Sequence, residues 1–452
     1  MTTIHAEQAL TPEGWRQNVR IAIEGGSIAA VADGTARAGD ERAAILVPAM
    51  PNLHSHAFQR AMAGLAEIRG PGVDTFWVWR ETMYRFALAM TPDDVAAVAA
   101  QLHVEMLEAG FGAVGEFHYL HHDHDGRPYG QVGAMAEAIA AAAGETGIGL
   151  TLIPVLYAHS TFGGAAPNPG QRRFVSDRDG FARLVEAAGA AVAALPGGVL
   201  GVAGHSLRAV TPEELAFAAS LRPDAPMHIH AAEQVREVED CLAWSGRRPV
   251  EWLLDNADLS ERWCLIHATH MTGEETARLA RSGAVAGLCP ITEASLGDGF
   301  FPAREFRDHD GRFGVGSDSN VLTGVAEELR QLETAQRLAR RSRNVMAEPG
   351  ASTGRAVFDA ALSGGAQALG RPVPAIAAGA PADLVSLDAD HPALIGRNGD
   401  AILDSWIFAA SRPAVDGVWV RGRRRVSDGR HHDREAVYGR FRKVAEALAG
   451  KL

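Results

Sequence analysis

Two histidines separated by one residue, His54 and His56, lie in the segment 48–59, directly after the apolar run 43–47. Side chains alternate between the two faces of an extended chain, so these imidazoles are expected to point the same way. Two imidazoles on one face at a strand end can bind a single metal ion, and imidazole suits Zn, Fe, Ni or Cu. Taken alone, a His-x-His pair is more simply explained as two hydrophilic residues at a strand end. Whether the pair binds a metal ion therefore depends on where the other histidines and acids lie.

Further histidines and acids follow other apolar runs. They are Glu116, His118 and Tyr119; His205 and Arg208; His228, His230 and Glu233; His267 and His270; and Asp318. If the runs are the parallel strands of a barrel, these side chains meet at the carboxyl end of the sheet, where barrel enzymes place their active sites. With 18 histidines in the chain, packing alone is a poor explanation for so many of them at strand ends.

A shell of three nitrogens and one carboxylate follows from His54, His56, His230 and Asp318, with a position left open for water. His228 shares a face with His230, but His230 comes later and therefore lies nearer the rim. We expect His230 to be the ligand and His228 to be a hydrogen-bonded residue of the barrel wall.

The scarcity of lysine bears on the number of metal ions. Two-metal barrels of this kind often carry a carboxylated lysine after the fourth strand, whereas this chain has only Lys443 and Lys451, and its fourth run ends in His205. We therefore expect one divalent metal ion, with zinc as the first choice and iron as the alternative, because both suit this ligand set.

A metal-bound water whose pKa is lowered towards ~7 is a nucleophile at neutral pH. Asp318 could take the proton of this water, and Glu233 could carry a proton to a leaving nitrogen. His267 could orient the resulting hydroxide or stabilise charge on it. His270 is the alternative to His267, but it lies further into the following loop.

Eight apolar runs, each followed by an Ala/Leu-rich helical pattern, must position these groups. The runs cover residues 45–47, 111–117, 149–156, 200–204, 226–230, 263–267, 284–289 and 313–316. Thr91-Pro92 and Thr211-Pro212, each with an acid at the third helical position, are typical helix starts. The pattern predicts a (β/α)8 barrel over residues 47–372. A doubly wound open sheet is the alternative, disfavoured because no Gly-x-Gly-x-x-Gly turn follows the first run.

Short alternating runs at both ends of the chain predict a second, smaller unit. Residues 19–31 carry a period-two pattern interrupted by a glycine turn, and similar patterns return at 382–387 and 417–422. We expect residues 1–46 and 373–431 to form a small β-sandwich domain, and residues 432–452 to form a C-terminal helix.

The composition excludes several classes of protein. With 452 residues, 47% of them hydrophobic and 22% charged, the chain is expected to be globular. A net charge of −12 without a broad basic stripe argues against nucleic-acid binding. No apolar stretch reaches the ~18 residues of a membrane span. Three scattered cysteines and a start without a signal-peptide pattern predict reduced thiols and a cytoplasmic protein.

Taken together, the His-x-His pair, the His-x-x-Glu at 230–233, the histidine after the sixth run and the aspartate after the eighth resemble the amidohydrolase superfamily. The segment 379–385 is similar to that family's return into its small sheet. His-x-x-Glu is typical of the deaminase branch, so the resemblance implies that Glu233 shuttles protons to departing ammonia.

More narrowly, the sequence is similar to the formimidoylglutamate deiminases of histidine degradation. The segments that carry this similarity are 50–60, 76–81, 115–120, 205–208, 290–299 and 316–320. The resemblance implies hydrolysis of N-formimino-L-glutamate to N-formyl-L-glutamate and ammonia, by attack of a metal-bound hydroxide on the formimino carbon.

Such a substrate brings two carboxylates into the site. Arg80 and Arg208 can each bind one of them through two parallel hydrogen bonds. Gln59, Tyr119 and His205 can add neutral donors.

Two alternatives stay open. A nucleobase or nucleoside deaminase of the same superfamily would have little use for paired arginines, and a non-catalytic metal-binding scaffold would have no physical reason to keep Glu233. Part of the aromatic-rich segment 57–90 is expected to cover the site or to pack against a second subunit in a homodimer, and most of its aromatic side chains are expected to pack in the core.

Overall fold

The computed structural model describes residues 2–69, 72 and 75–450. Its strands are β1 (Thr2–Thr11), β2 (Gly14–Glu24), β3 (Ser27–Asp33), β4 (Glu41–Pro48), β5 (Met50–Ser55), β6 (Phe111–His118), β7 (Gly149–Leu156), β8 (Val199–Leu200), β9 (Val202–Ser206), β10 (Met227–Ala231), β11 (Trp263–His267), β12 (Val285–Leu288), β13 (Arg312–Val315), β14 (Leu384–Leu387), β15 (Val415–Val420), β16 (Arg423–Ser427) and β17 (Arg430–His431).

The helices alternate with the middle strands. They are α1 (Phe76–Ala89), α2 (Pro92–Glu108), α3 (Ala134–Thr146), α4 (Arg178–Ala193), α5 (Pro212–Leu221), α6 (Val235–Ser245), α7 (Pro249–Asn256), α8 (Gly273–Arg281), α9 (Pro290–Leu296), α10 (Ala303–Asp308), α11 (Val325–Arg340), α12 (Thr353–Ala368), α13 (Ala401–Ala409) and α14 (Arg434–Ala449), with short 3₁₀ turns at Ala57–Met62 and Pro169–Gln171.

Both ends of the chain build one sheet, in the order β17-β16-β15-β14-β4-β1-β2-β3 within the described residues. The two ends meet where β4 pairs antiparallel with β14, with Val47 opposite Val385. Ile4, Leu384 and Trp419 pack in its own apolar core. The predicted small sheet unit built from both ends is therefore confirmed. The domain boundaries stay a prediction. Strand β4 continues to Pro48 and so crosses the predicted boundary between residues 46 and 47.

The central strands form a parallel sheet in the order β13-β12-β11-β10-β9-β7-β6-β5, with β8 beside β7. Its two outer strands close on each other. The His56 amide donates to the Asp318 carbonyl oxygen at 3.0 Å, and the Asp318 amide donates to the His54 carbonyl oxygen at 2.9 Å. The predicted (β/α)8 barrel is confirmed, and its closure joins the two segments that carry predicted metal ligands.

One strand assignment is wrong. The apolar run 45–47 belongs to β4 of the small sheet, and the first barrel strand is β5. Pro51 and Asn52 disfavour a strand on propensity alone. Every residue of β5 is nevertheless buried, because the strand is enclosed by the barrel interior on one side and by helices on the other. The other seven predicted runs overlap β6, β7 and β9–β13.

The predicted helix starts are confirmed. Thr91 accepts a hydrogen bond from the Asp94 amide, and the Asp94 carboxylate accepts one from the Thr91 amide at 2.9 Å. Thr211 and Glu214 repeat this capping box at α5. Cys241, Cys264 and Cys289 are buried and free, as expected.

The segment 57–90, predicted to cover part of the site, includes the turn Ala57–Met62 and α1. Its residues 70, 71, 73 and 74 lie outside the described residues. Among the described residues we find no helix with the length and apolar character of a membrane span.

Candidate active site

A pocket of about 530 Å³, a volume that includes its opening to solvent, lies at the carboxyl ends of the barrel strands. Its wall comes from α1 and from the residues at or just after β5, β6, β7, β9, β10, β11 and β13. Because parallel strands end at one rim, residues distant in sequence meet here. The side chains predicted from strand ends can therefore act together in this cavity.

Three histidines and one aspartate, here called the metal-ligand group, come together at its base: His54, His56, His230 and Asp318. One ligand atom from each lies within 4.8 Å of the others, and all four residues are buried. Nε2 of His54 lies 3.1 Å from Nε2 of His230. Asp318 Oδ1 lies 3.5 Å from Nε2 of His54 and 3.3 Å from Nε2 of His56.

The chemistry of these donors fits a metal ion. Burial lowers the pKa of His54 to about 3 and the pKa of His230 well below its ordinary value, so both rings are neutral. Nδ1 of His56 donates to the Phe117 carbonyl oxygen at 3.0 Å, and Nδ1 of His230 donates to the His205 carbonyl oxygen at 3.0 Å. These bonds leave the Nε2 lone pairs of both rings free, that of His56 towards Asp318 and that of His230 towards Nε2 of His54, an arrangement that a bound cation satisfies.

The loop after β13 holds Asp318 against β5. The Asn320 side-chain amide donates to the carbonyl oxygens of Asp318 and His56 at 2.8 and 3.1 Å. Asp318 and Asn320 adopt left-handed backbone conformations, with φ of 46° and 57°. Such conformations are strained for residues other than glycine and persist where surrounding bonds fix them, which is common at functional sites.

Glu233 and His267 stand beside the metal-ligand group. Nε2 of His267 lies 3.8 Å from Oε1 of Glu233 and 3.8 Å from Oδ2 of Asp318. Burial raises the pKa of Glu233 to about 7. Burial opposes the charged form of His267, but Glu233, Glu293 and Asp318 outweigh it and raise the pKa of His267 to about 10.

Glu293 is a further buried carboxylate of the site, and no role is predicted for it from the sequence. Its Oε1 accepts from the Cys289 amide at 2.9 Å and lies 3.3 Å from Nδ1 of His267. The bond fixes the orientation of the imidazole ring and leaves Nε2 facing the cavity. Glu293 lies in one of the segments that carry the family resemblance, but nothing in its spacing relative to His267 indicates the contact.

The predicted substrate-binding residues all line the cavity: Gln59, Arg80, Tyr119, His205 and Arg208. Gln59 donates to the Tyr119 hydroxyl at 3.0 Å. The Arg80 guanidinium stacks over the Trp77 ring at 4.4 Å. The Nε atoms of both arginines are buried and make no hydrogen bond, so both guanidinium groups retain unused donors.

Tyr157, for which no role is predicted from the sequence, follows β7 and lines the same cavity. Gln171 donates to its hydroxyl at 2.7 Å, and its ring lies 4.6 Å from that of His205. It is the first polar side chain after the third apolar run, so its position at a strand end was the available signal.

Two alternative histidines lie apart from the metal-ligand group. The His228 ring bonds the Ala368 carbonyl oxygen at 2.7 Å, on the wall of the barrel. His270 is not part of the cavity lining, and its amide bonds the Ala232 carbonyl oxygen. This arrangement agrees with the choice of His230 and His267 over them.

His228→Asn and His230→Asn form a matched pair that tests this assignment. We expect the first variant to bind about one metal equivalent, like the wild type, because its ring contacts only the wall. The second should bind clearly less, since it loses a ligand nitrogen. Metal analysis of protein from zinc-supplemented cultures measures both, and equal metal contents would contradict the assignment.

Comparison with known proteins agrees with this geometry. The protein-family model described as "Amidohydrolase family" matches residues 45–425. A second family model, "Formimidoylglutamate deiminase HutF, N-terminal domain", matches residues 1–44. A formimidoylglutamate deiminase of Pseudomonas aeruginosa is 50% identical, over 99% of this chain and 100% of that protein. A 5-methylthioadenosine/S-adenosylhomocysteine deaminase of Natronomonas pharaonis is 28% identical, over 86% and 84% of the two chains.

Solved structures match over almost the whole chain. An amidohydrolase from Brucella melitensis superposes with a TM-score of 0.97 at 59% identity, over 99% of this chain and 100% of that one. A zinc-bound adenosine deaminase from Xanthomonas campestris shares the fold with a TM-score of 0.83 at 23% identity, over 99% and 98%. The family model spans well over half the sequence, and the chain belongs to the amidohydrolase family of metal-dependent hydrolases.

Proposed function

We propose that this chain catalyses the hydrolytic deamination of N-formimino-L-glutamate, a reaction of histidine degradation. Water adds to the formimino carbon and ammonia leaves, which gives N-formyl-L-glutamate. Similarity along the whole chain to the Pseudomonas aeruginosa deiminase, together with the match of the N-terminal domain, supports this activity. The observation that carries the proposal is a single cavity lined by Asp318 of the metal-ligand group, by Glu233, and by the arginines Arg80 and Arg208.

The metal-ligand group would hold one divalent ion, zinc first and iron as the alternative. When bound, the ion would lower the pKa of a water molecule to about 7 and so supply a nucleophile at neutral pH. Cys289 lies with His267 and Asp318 in a second cluster of potential ligands, but burial raises the pKa of its thiol well above the ordinary value. Among the described residues this second cluster has three members and shares Asp318 with the metal-ligand group, which supports a single ion.

The side chains around this site can move the protons that the reaction requires. Asp318 takes a proton from the attacking water, and Glu233 carries a proton to the departing nitrogen. A carboxyl whose pKa lies near 7 both accepts and releases protons at neutral pH, and burial gives Glu233 this value. His267 lies 3.8 Å from oxygens of both carboxylates, where it orients the water and stabilises negative charge on it.

The two substrate carboxylates require fixed cations, because burying an unpaired charge is costly. Arg80 reaches the cavity from α1 and Arg208 from the turn after β9, so they approach the substrate from different elements. Gln59, Tyr119 and His205 add neutral partners. A nucleobase offers no carboxylate to either arginine, which favours the amino-acid derivative as substrate.

Ammonia release tests the proposal. Zinc-loaded protein is incubated separately with N-formimino-L-glutamate, N-formimino-glycine, guanine, cytosine and adenosine. We expect rapid turnover of the glutamate derivative, slower turnover of the glycine derivative, which lacks one carboxylate, and none of the others. Turnover of a nucleobase or nucleoside alone would contradict the proposed substrate but would still agree with a deaminase activity.

We also propose a homodimer in the cytoplasm. Buried, free cysteines are typical of a reducing compartment. Leu65, Ile68 and Val78, all in the segment 57–90, expose 52%, 83% and 48% of their surface, which favours burial against a second subunit. Light scattering should therefore give twice the 47.8 kDa chain mass at micromolar concentration, and a single chain mass would contradict the dimer.

A further inference from the structure

Glu237 is a buried carboxylate in the first turn of α6 that no step above uses. Its two oxygens accept hydrogen bonds from consecutive backbone amides. Oε1 accepts from the Ala232 amide at 3.2 Å, and Oε2 accepts from the Glu233 amide at 3.2 Å. One carboxylate therefore holds the backbone that carries the proton-transferring Glu233.

The backbone at this point needs such support. Ala232 has a φ of 52°, in the left-handed region that residues with a Cβ adopt only at an energetic cost. In that conformation two successive amides point into one concavity, which favours a negatively charged group. Glu237 supplies the charge, and the strained turn then directs the Glu233 side chain into the cavity.

The same carboxylate also faces Arg208. Oε2 of Glu237 lies 3.8 Å from Nε of Arg208, while Nη2 of Arg208 lies 3.6 Å from Oε2 of Glu233. Arg208 is thus placed between two buried carboxylates, of which only Glu233 is needed for proton transfer. Attraction to Glu237 on the Nε side draws the guanidinium away from a closer pair with Glu233 and leaves its Nη atoms towards the cavity.

We propose that Glu237 is a positioning residue for both the proton-transferring Glu233 and the carboxylate-binding Arg208. This role rests on the proposed function, and it links the turn after β10 to the turn after β9. Without the Glu237 charge, Arg208 would move onto Glu233, where it would be less able to bind a substrate carboxylate and would hinder proton transfer.

Glu237→Gln keeps the size of the side chain but replaces one acceptor oxygen by a donor that faces a backbone N–H. We expect KM for N-formimino-L-glutamate to rise about 10-fold and kcat to fall about 10-fold, because small displacements of positioned groups are costly. Glu239→Gln, an exposed glutamate on the same helix, is the control and should leave both constants unchanged.

A double-mutant cycle with Arg208→Ala separates positioning from a general structural effect. In the Arg208→Ala background, Glu237→Gln should no longer raise KM, but it should still lower kcat through Glu233. A lower kcat with unchanged KM in both backgrounds, or wild-type constants in Glu237→Gln, would overturn the proposal.

If Glu237→Gln does not fold, Glu237→Asp provides the test. It keeps the charge but is too short to reach both amides, so it should raise KM and lower kcat in the same direction, and wild-type constants would overturn the proposal. Wild-type turnover in the same assay distinguishes the two failures. Its absence contradicts the proposed function, and the role of Glu237 with it, whereas normal wild-type turnover beside an unaffected variant contradicts only the role of Glu237.

Discussion

Glu233→Gln is expected to lower kcat by about 10³-fold, within the range that one positioned acid–base group contributes. Glutamine keeps the shape of the side chain and can still contact His267 and Arg208, but it cannot accept and release a proton. Because Glu233 lies outside the metal-ligand group, metal content should stay at about one equivalent. Steady-state ammonia release, with metal analysis of the same samples, measures both quantities.

The two kinetic constants, kcat and KM, distinguish a role of Glu233 in the chemical step from a role in binding. A fall in kcat with nearly unchanged KM indicates an interaction needed for the chemical step rather than for binding. A variant that keeps more than about a tenth of the wild-type kcat would contradict a proton-transfer role, because general acid–base groups contribute at least about 10²-fold. A loss that only follows metal content would assign Glu233 to the metal site instead.

Arg80→Ala and Arg208→Ala are each expected to lower kcat/KM for N-formimino-L-glutamate by about 10²–10³-fold, equivalent to about 3–4 kcal/mol for a buried charge left without its partner. Arg208 is the more enclosed of the two, with 8% of its side chain exposed. Arg236→Ala is the control, since its guanidinium also packs on Trp77, at 4.9 Å, but pairs with Asp240 and is largely exposed.

N-formimino-glycine shows which arginine binds which carboxylate. It lacks the side-chain carboxylate, so the arginine that binds this group should matter little for its turnover, while the other should matter as before. Equal activity of wild type, Arg80→Ala and Arg208→Ala on N-formimino-L-glutamate would contradict the two-carboxylate pocket and favour the nucleobase alternative.

Much of the fold follows from periodicity and capping. The runs that became β6, β7 and β9–β13 are mostly apolar and are followed by helical patterns, so local pattern and global fold agree. The first barrel strand could not be found in this way. Met50–Ser55 contains Pro51, Asn52 and His54, and it is a strand because the closed barrel surrounds it, whereas the more strand-like run before it joins the small sheet.

The residues of the site also differ in whether local sequence pattern or tertiary packing places them. His54, His56, His230, Glu233 and Asp318 stand at strand ends with recognisable spacing, so sequence reasoning could select them. Glu293 could not be selected in this way, because it meets His267 only through tertiary packing. Tyr157 stands at a strand end like the others, but its contact with Gln171 also depends on tertiary packing. Glu237 lies four residues after Glu233, but its bonds depend on the left-handed turn at Ala232, which no local residue preference predicts.

The identity of the products distinguishes the proposed deamination from cleavage of the other carbon–nitrogen bond. Addition of water to the formimino carbon creates a centre from which either nitrogen can leave, and the proposed position of Glu233 delivers the proton to the terminal nitrogen. Nuclear magnetic resonance of the zinc-loaded enzyme with N-formimino-L-glutamate should therefore show N-formyl-L-glutamate and ammonia in equal amounts. Formation of L-glutamate and formamide, or an unchanged substrate with metal bound, would contradict the account.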